Sequence, residues 1–256
     1  MVKSEFESGK RFEGLMARAT ATFNEVDEGS ADISAAMRDY LAEIYRIGLG
    51  KMWVSTTAIA ENLEVSGPAA VRMVRRLQNK KLVEHLPYKG VLLTEIGQKE
   101  ALLGIRRHRL VERFLVEVLE FDWADSHAEA DILDKGINQR LEDRIDKIMG
   151  FPARCPHGDP IPTRDGIMPE IYDRPLTVVP AGLEVTVSRI RIREPEILTY
   201  IAEIGLVPGA TFTLTSRSPF NGPVRLQVGR NEQVISAELA AAIWISCDAD
   251  VSVSEK

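Results

Sequence analysis

The sequence has little of several things, and each shortage excludes a class of protein. Its 256 residues include two cysteines, Cys155 and Cys247, which are too few and too far apart for a disulfide scaffold, so we expect a reducing, cytoplasmic location. No apolar run reaches the roughly 20 residues that a membrane helix needs, and residues 1–10 lack the apolar segment of a signal peptide, so we expect no membrane partner. The net charge of −6 argues against a chain that coats nucleic acid with its whole surface.

What is present suits a globular protein with one basic module. Apolar residues make up 45% and charged residues 27%, and the length predicts two or three domains. Residues 51–113 carry 12 Lys and Arg against 6 Asp and Glu, whereas the remainder is acidic. Such a basic block is typical of a DNA-binding module attached to domains that have another role, although chance clustering of surface charges gives the same pattern. Residues 1–30 read as a polar N-terminal extension, to which we assign no function.

Residues 31–102 predict three helices followed by a β-hairpin, the order of a winged helix-turn-helix. Thr57 is expected to cap the second helix. Ser66 is a good cap for the third helix, and Pro68 suits its first turn. Residues 82–94 alternate in polarity around a Pro- and Gly-containing turn, which predicts the hairpin.

The third helix and the hairpin carry the candidate DNA contacts. A helix fits the major groove, and side chains in its first turns reach base edges. Contacts to phosphates position such a module without reading sequence. A protein-interaction module with the same skeleton is the alternative. The candidates are Ala69, Ala70 and Arg72 for base edges, with Pro68 beside them, and Ser66, Arg75, Arg76, Lys80 and Lys89 for phosphates.

The rest of the chain predicts a helical body and a β-rich end. Residues 103–150 hold two apolar stripes, over 110–119 and 132–148, which predict two long helices. So much apolar surface with little chain to cover it predicts a helical dimerisation domain and hence a homodimer. Residues 151–175 form a Pro-rich linker, and residues 176–256 alternate with period two, which predicts a small, partly open β-barrel. The fold class is therefore mainly α with β.

Imidazole and carboxylate side chains share helix faces in the middle of the chain. Spacings of three and four residues place such groups on one face of a helix. A mixture of nitrogen and oxygen donors suits Mn²⁺ or Fe²⁺ better than a structural zinc ion. An exposed, salt-bridged helix face produces the same spacing, so this alternative stays open. The candidate ligands are His108 and Glu112, then His127, Asp131 and Asp134, and Asp39 on the first helix.

Several stretches together resemble one known family. They are residues 39–45, 65–68, 107–115, 155–162, 205–209 and 235–240, with His127 followed by an acidic helix. This set is similar to the diphtheria-toxin-repressor class of metal-dependent transcription regulators, the DtxR/IdeR/MntR group, over about residues 31–256. The resemblance implies that the C-terminal segment is an SH3-like (FeoA-like) domain and that the middle helices bind metal and dimerise.

The resemblance implies an ancillary metal site with five ligands. The two ligands that the SH3-like domain would supply fall near Arg189 and Ile192, which cannot ligate. The ligand positions that the SH3-like domain would supply are therefore either filled by substitutes, with Glu194 or Glu196 as candidates, or left open to water. The other three ligands match His108, Glu112 and His127.

The resemblance also implies a primary metal site. Lys135 stands where the family has a histidine, and a protonated lysine cannot ligate, although its ammonium could pair with a neighbouring aspartate. Cys155 and His157 lie in a turn that matches the family's structural linker, so we expect no ligation from them. The remaining primary-site positions are Asp39, Asp131 and Asp134, which are oxygen donors as in manganese-type members.

We therefore expect a dimeric transcription regulator that responds to Mn²⁺ or Fe²⁺, with manganese favoured, and that represses metal-uptake genes by binding a palindromic DNA operator. Bound metal would fix the spacing of the two recognition helices. A metal-independent regulator of the same fold, in which Lys135 replaces the primary-site ion, is the main alternative. The others are a metallohydrolase using the His108, Glu112 and His127 trio, and a scaffold whose SH3-like domain binds a peptide. We expect a DNA-binding protein, not an enzyme.

Overall fold

The computed structural model of the protein describes residues 33–246. Contacts divide the chain into two compact units, Met1–Met37 and Arg38–Lys256. In the first unit the described residues form the beginning of helix α1, and the second unit holds the other elements. The predicted class is confirmed, because helices make up most of the first half of the described chain and strands are the main regular elements of its last third. The predicted N-terminal extension, residues 1–30, and Cys247 lie outside the described residues.

The elements follow the predicted order. Among the helices of residues 33–246, none is both long and apolar enough to cross a membrane. Two 3-10 turns, Asp134–Gly136 and Leu176–Val178, lie between the main elements. Those elements are α1 (Ala35–Gly48), α2 (Thr56–Asn62), α3 (Gly67–Asn79), β1 (Val83–Leu86), β2 (Gly90–Leu93), α4 (Glu95–Glu117), α5 (Ser126–Leu133), α6 (Gln139–Ile148), β3 (Asp173–Pro175), β4 (Glu184–Ile190), α7 (Pro195–Glu203), β5 (Thr211–Arg217), β6 (Val224–Val228), β7 (Asn231–Ile235), α8 (Ala237–Ala242) and β8 (Ile243–Ser246).

Serine hydroxyls begin both helices of the helix-turn-helix. The Ser55 hydroxyl accepts a hydrogen bond of 3.0 Å from the backbone N–H three residues later and so caps α2. The prediction that Thr57 caps this helix was wrong, because Ser55 offers its hydroxyl first and Thr57 lies inside the first turn. Ser66 caps α3 in the same way, and Pro68 occupies its first turn, as predicted.

The β1–β2 hairpin, the wing, is followed directly by the long helix α4, which packs closely against it. Strands β1 and β2 form the predicted antiparallel hairpin, and Val54 extends it by a bridge to Val91. Thr94 caps α4 directly after the wing. Gly97 in the first turn of α4 packs so closely that a Cβ there would lie 1.8 Å from the carbonyl oxygen of Leu82. Only glycine allows this contact, which fixes the direction of α4 relative to the DNA-binding module.

The second long helix predicted in the middle of the chain is in fact two helices. The helix α5 ends at Leu133 and the 3-10 turn follows. Asn138 then begins α6 by accepting a hydrogen bond of 3.0 Å from the N–H of Leu141. The prediction was wrong because the apolar spacing continues across the break, whereas Gly136 and Asn138 interrupt the backbone.

Buried ion pairs tie α4 to α6. Glu142 accepts from Arg106 Nε at 3.2 Å and from Arg107 Nε at 3.1 Å, and its side chain is almost fully buried. Arg106 also donates to Asp146 at 2.5 Å and to the carbonyl of Pro162 in the linker at 2.8 Å. Since removing one partner would leave uncompensated buried charge, this network holds the helical body and the linker together.

The C-terminal domain is a six-stranded antiparallel sheet with the order β3-β8-β4-β5-β6-β7. Its core contains fully buried side chains such as Phe212, Leu214 and Leu226, and it is the largest apolar cluster among the described residues. Trp123 and Ala124, from the loop that precedes α5, pack against this core. The register of β4 against β8 shifts between Val187 and Arg189, and Gly158 of the linker lies close to Ser188 and Arg189 at this irregularity.

Candidate metal centre

Glu112 is the centre of a cluster of metal-binding side chains. It lies on α4, one turn after His108, and both side chains are buried. His108 Nε2 is 3.2 Å from Glu112 Oε1. His127, in the first turn of α5, places its Nδ1 atom 2.7 Å from the same oxygen and 2.9 Å from His108 Nε2. The structure therefore brings together the trio that the sequence predicted for the ancillary site.

Two aspartates orient His108. Asp134 Oδ2 lies 3.0 Å and Asp131 Oδ1 lies 3.4 Å from His108 Nδ1. A carboxylate there accepts the Nδ1 proton, so Nε2 is the ring atom directed at Glu112 and His127, and it can ligate a metal once its own proton has left. This carboxylate–histidine arrangement is the one that usually supports a metal-ligating imidazole.

The turn over residues 155–160 brings two further donors to the cluster. The backbone N–H of Ile190 in β4 donates to the carbonyl of His157 at 2.9 Å. Gly158 has φ +87° and lies so close to β4 that a Cβ would be 2.1 Å from the carbonyl oxygen of Ser188. Glycine is therefore required, and the docked turn points Cys155 and His157 at the helical body.

The resulting cluster has five donors from three parts of the chain. His157 Nε2 donates to the carbonyl of Trp123 at 3.0 Å, and its Nδ1 atom lies 3.7 Å from Glu112 Oε1. The ligand atoms of Glu112, Cys155 and His157 all lie within 4.8 Å of one another. The ligand atoms of Glu112, His108 and His127 also lie within 4.8 Å of one another, so Glu112 belongs to both groups and links them. Sequence analysis noticed the Cys-x-His spacing but assigned it no ligand role.

The pKa values of the side chains in the cluster are shifted by burial and by their mutual charges, and the buried carboxylate of Glu112 favours a cation beside it. Burial alone would lower the pKa of His108, but the charge of Glu112 and hydrogen bonds to Asp134 and Glu112 outweigh it and raise the pKa to about 9. Burial would raise the pKa of Glu112, yet His108 and the other histidines hold it well below its usual range. Burial and the charge of His108 lower the pKa of His127. Burial and Glu112 raise the pKa of the Cys155 thiol well above its usual range.

Two of the residues predicted for the primary site, Asp131 and Asp134, form with His108 a third group whose ligand atoms all lie within 4.8 Å of one another and could hold a metal ion. Asp131 and Asp134 contact His108, as described above. Asp39 joins none of the clusters within residues 33–246 whose ligand atoms lie within 4.8 Å of one another. Burial and the charge of Asp134 raise the pKa of Asp39, and the nearby ammonium of exposed Lys135 opposes that shift.

On the side of the C-terminal domain, Arg189 and Glu194 line the same cleft as the cluster. Arg189 pairs with Asp159 and Asp173 and cannot ligate. Glu194 is exposed, and its carboxylate accepts from the backbone N–H of Arg193 at 3.1 Å. Glu196, in the first turn of α7, is not among the residues that line the cleft.

The recognition helix α3 presents most of the predicted DNA contacts to solvent. Ala70 is an exception and a correction: it is fully buried at 0% exposure, because its position on α3 faces the core with Val74 and Leu77, so it cannot reach a base. Ala69 is half-buried. Lys80, at the end of α3, is also half-buried. The exposed candidates are Ser66, Pro68, Arg72, Arg75 and Arg76 on α3 and Lys89 in the wing.

The helical body exposes a large apolar surface. Ile132 is 67% and Ile148 is 66% exposed, far more than a single chain normally leaves uncovered on neighbouring helices. Six further apolar side chains are exposed nearby: Val118, Leu119, Phe121, Leu133, Leu141 and Phe151. This surface has the character of a helical dimer interface.

Comparisons with known proteins agree with this architecture. Three family models match consecutive parts of the chain. The one described as "Iron dependent repressor, N-terminal DNA binding domain" matches residues 32–91. The one described as "Iron dependent repressor, metal binding and dimerisation domain" matches residues 94–163, and "FeoA domain" matches residues 174–247.

Curated relatives and solved structures point the same way. The iron-dependent repressor IdeR of Mycobacterium tuberculosis is 30% identical over 218 residues, which cover 80% of this chain and 94% of that protein. The diphtheria toxin repressor of Corynebacterium diphtheriae is 32% identical over 126 residues, 49% of this chain and 56% of that protein. A manganese-dependent transcriptional repressor in complex with manganese is 36% identical with a TM-score of 0.74, covering 82% of this chain and 98% of that chain. The manganese regulator SloR is 30% identical with a TM-score of 0.69, covering 83% and 98%.

These relatives are DNA-binding repressors and not enzymes, which removes the metallohydrolase alternative. With a relative at this identity matched over nearly its whole length, and with DNA-binding, metal-binding and FeoA segments in the family's order, the chain belongs to the iron-dependent repressor family of metal-dependent transcription regulators.

Proposed function

We propose that this protein is a cytoplasmic, homodimeric repressor that binds Mn²⁺ or Fe²⁺ at the cluster around Glu112 and, in that state, binds a palindromic operator of metal-uptake genes. The observation that carries the proposal is the convergence of five metal-binding side chains from α4, α5 and the linker on one buried carboxylate. Relatives described as iron-dependent and manganese-dependent repressors support it.

The proposed ligands are the five donors of the cluster. His108 would bind through Nε2 and His127 and His157 through Nδ1, since these are the atoms that face Glu112. Cys155 would bind as the thiolate, which a metal stabilises although burial opposes it. Asp131 and Asp134 are proposed as the groups that orient His108, and Asp39 as a more remote carboxylate. The ion would supply the positive charge that protonated His108 now provides.

The donor set accepts both proposed ions. Imidazole nitrogen and carboxylate oxygen suit Mn²⁺ and Fe²⁺, whereas a thiolate favours the softer Fe²⁺. The sequence favoured manganese because of the aspartates at the primary-site positions. Cys155 in the cluster removes that preference, so we propose a site without strong selectivity between the two.

The helix α4 connects the cluster to the DNA-binding module. It starts at the wing, where Gly97 packs on the backbone of Leu82, and it carries His108 and Glu112 in its C-terminal half. Tightening α4 against α5 and the linker would therefore fix the orientation of α3. In a dimer joined by the exposed apolar surface of the helical body, this fixes the separation of two recognition helices, which a palindromic operator matches.

In the DNA complex, Arg72 is proposed to read a base edge and its exposed neighbours to contact phosphates. Arg75 and Arg76 follow Arg72 by three and four residues and so share its face of α3, Lys89 adds exposed positive charge in the hairpin, and Ser66 and Pro68 form the start of α3. Contacts of this kind give specificity through the base edge and general affinity through the phosphates. Ala69 completes the proposed surface.

The test is operator affinity with and without metal. An operator is selected from random duplexes in the presence of Mn²⁺, and binding of the full chain is followed by fluorescence anisotropy with Mn²⁺, with Fe²⁺ and with a chelator. We expect metal to tighten binding by at least about tenfold, in the range typical of coupling between sites. Glu112→Gln should lose the response, whereas Glu117→Gln, an exposed position on the same helix, should keep it. Equal affinity with metal and with chelator would overturn the proposal.

The metal-independent alternative, in which Lys135 replaces an ion, is not favoured. Relatives matched over most of their length are described as iron- or manganese-dependent. The cluster around Glu112 does not include Lys135.

A further inference from the structure

The linker that follows the helical body runs back along the long helix α4. Three arginines on α4 are three and four residues apart, so they form one row on the helix surface. A proline-rich segment has few N–H groups with which to satisfy its own carbonyls, and this row of guanidinium groups donates to them instead. The contacts are Arg113 to the carbonyl of Arg154 at 3.4 Å, Arg109 to that of Pro160 at 2.5 Å and Arg106 to that of Pro162 at 2.8 Å.

A turn in the linker continues this path towards the beginning of α4. The N–H of Thr163 donates to the carbonyl of Ile167 at 2.8 Å and so closes the turn. Gly166, inside the turn, has φ +74° and lies so close to α4 that a Cβ there would be 3.1 Å from the carbonyl oxygen of Lys99. From Arg113 back to Lys99, the linker therefore follows about 21 Å of the helix.

Met168 ends this path where the DNA-binding module meets the helical body. Its half-buried side chain packs against a small apolar cluster to which both helices contribute. Its Sδ atom also lies 3.9 Å from Nη1 of Arg109. A flexible, unbranched thioether is well suited to fill the space between two helices. The cluster consists of Ala42 and Tyr45 from α1 and Leu102 and Ile105 from α4.

The other end of the linker carries two donors of the candidate metal centre. The ligand atoms of Cys155 and His157 lie within 4.8 Å of that of Glu112. Arg154, the first linker residue that the arginine row holds, directly precedes Cys155. The linker thus connects the cluster around Glu112 to the junction of α1 and α4 by a path outside the α4 backbone.

We propose that the linker transmits metal binding to the DNA-binding module, and that Met168 is the residue that positions α1 against α4. The proposal rests on the function proposed above. Once ligation holds Cys155 and His157 on α4, the arginine row keeps the rest of the linker in one register. Met168 is then held at the junction, which favours one orientation of α1. It contacts neither the metal ligands nor DNA in this arrangement, so its role is positioning.

The test compares the metal response of operator binding with the affinity for the metal itself. Both are measured on the full chain, the first by anisotropy with Mn²⁺ and with chelator, the second by competition for Mn²⁺ against a chelator. In Met168→Ser a polar side chain no longer fills the junction, so the tightening by Mn²⁺ should fall from at least about tenfold to less than about threefold. Its affinity for Mn²⁺ should stay within about threefold of that of the unaltered protein.

Two further variants separate packing at the junction from other effects of substitution. Met168→Leu nearly conserves the apolar volume and should keep the full response. Ile167→Ser changes the adjacent side chain, which is 61% exposed, and should also keep it.

Gly166→Ala tests the same path at a second point. Its Cβ would press on the backbone of Lys99, which lifts the linker from α4 and leaves the Met168 side chain unaltered. We expect the same loss of response at unchanged Mn²⁺ affinity. Gly209→Ala is the matched control, because Gly209 has a similar backbone conformation, with φ +90°, but open space around it.

Hydrogen exchange of residues 38–48 in α1, measured without DNA, gives an independent readout. Mn²⁺ should slow exchange there in the unaltered protein and in Met168→Leu, and should leave it unchanged in Met168→Ser and Gly166→Ala. Loss of both responses at unchanged Mn²⁺ affinity is the expected result, and a structural role in the metal site alone would not produce it.

Three results would overturn the proposal. If the unaltered protein responds to Mn²⁺ and Met168→Ser and Gly166→Ala respond equally, the linker does not transmit the signal, and the proposed function stands. If both variants lose Mn²⁺ affinity in parallel with the response, these residues shape the metal site and transmit nothing. If the unaltered protein shows no metal response, the proposed function fails and the role of the linker fails with it.

Discussion

Raising the pH should tighten metal binding to the Glu112 cluster, because two of its ligands hold protons in the metal-free protein. The pKa of His108 is raised to about 9, so this imidazole is charged at neutral pH. The pKa of Cys155 is raised well above its usual range, so this thiol is protonated too. Both protons must leave before the nitrogen and the sulfur can ligate. His127, with its lowered pKa, is already neutral near pH 7.

The size of the effect follows from the proton count. Each proton released changes the apparent affinity about tenfold per pH unit below its pKa. Between about pH 7 and about pH 8.5, two protons give roughly 1000-fold tighter binding, or about 4 kcal/mol. Cys155→Ala leaves one proton to be released and should reduce the change to roughly 30-fold. From the sequence alone, metal binding is expected to weaken only below about pH 6, because an unperturbed histidine gains its proton near that pH.

The metal-free fold should respond to pH in the opposite direction. The pKa of His108 is raised in the folded state, from 6.5 to about 9. The stability that protonated His108 contributes is therefore complete below about pH 6.5 and is lost as the pH rises through about 9. The loss amounts to up to about 3 kcal/mol of the free energy of unfolding. Urea denaturation of the metal-free protein across this range measures it.

The assay for metal binding is competition for Mn²⁺ against a chelator whose own pH dependence is known. Calorimetry in buffers with different ionisation enthalpies counts the released protons directly. Cys247→Ala is the matched control, because it removes the other thiol of the chain and should leave the proton count at about two. An affinity that does not change with pH after correction for the chelator would refute ligation by His108 and Cys155.

Three further predictions test the scaffold and the DNA surface. Gly158→Ala should weaken Mn²⁺ binding at least about tenfold, since its Cβ would lie 2.1 Å from a backbone oxygen of β4, whereas Gly136→Ala, with open space around it, should not. Glu142→Ala should lower the free energy of unfolding in urea by about 3–5 kcal/mol, because it removes the buried carboxylate that Arg106 and Arg107 share. Asp143→Ala, which removes an exposed ion pair, should change it by less than about 1 kcal/mol. Arg72→Ala should cost about 1–3 kcal/mol of operator binding in anisotropy titrations and relax the preference at one base pair.

Each of these predictions has a contradicting result. Unchanged Mn²⁺ affinity in Gly158→Ala would show that docking of the linker turn does not position its ligands. Similar stability losses for Glu142→Ala and Asp143→Ala would contradict the energetic role of burial in the network. A uniform loss across all operator variants in Arg72→Ala would make this residue a phosphate contact.

Local signals made the DNA-binding module predictable. The serine cap at Ser66, Pro68 after it and the alternation before α4 act within a few residues, so the sequence places these elements directly. The break between α5 and α6 was also readable, because Asn138 is a strong cap, but the continuous apolar spacing concealed it. The burial of Ala70 could not be read from the sequence, since a small apolar residue fits either face of α3.

The candidate site was predictable only where its residues share a helix. His108 and Glu112 are one turn apart, so their contact follows from helix geometry. Cys155 and His157 reach Glu112 through tertiary docking of the linker turn on β4, which depends on the close approach of Gly158. The Cys-x-His spacing was the available signal, and only the packing of the turn decides that it faces the cluster.

Diffraction at the manganese absorption edge from crystals of the full chain grown with Mn²⁺ tests the central claim most directly. The account predicts one anomalous peak per chain, about 2.0–2.5 Å from Glu112 Oε1 and within bonding distance of the nitrogen atoms of His108, His127 and His157. Anomalous density at the aspartates beside Lys135, with none at Glu112, would contradict it.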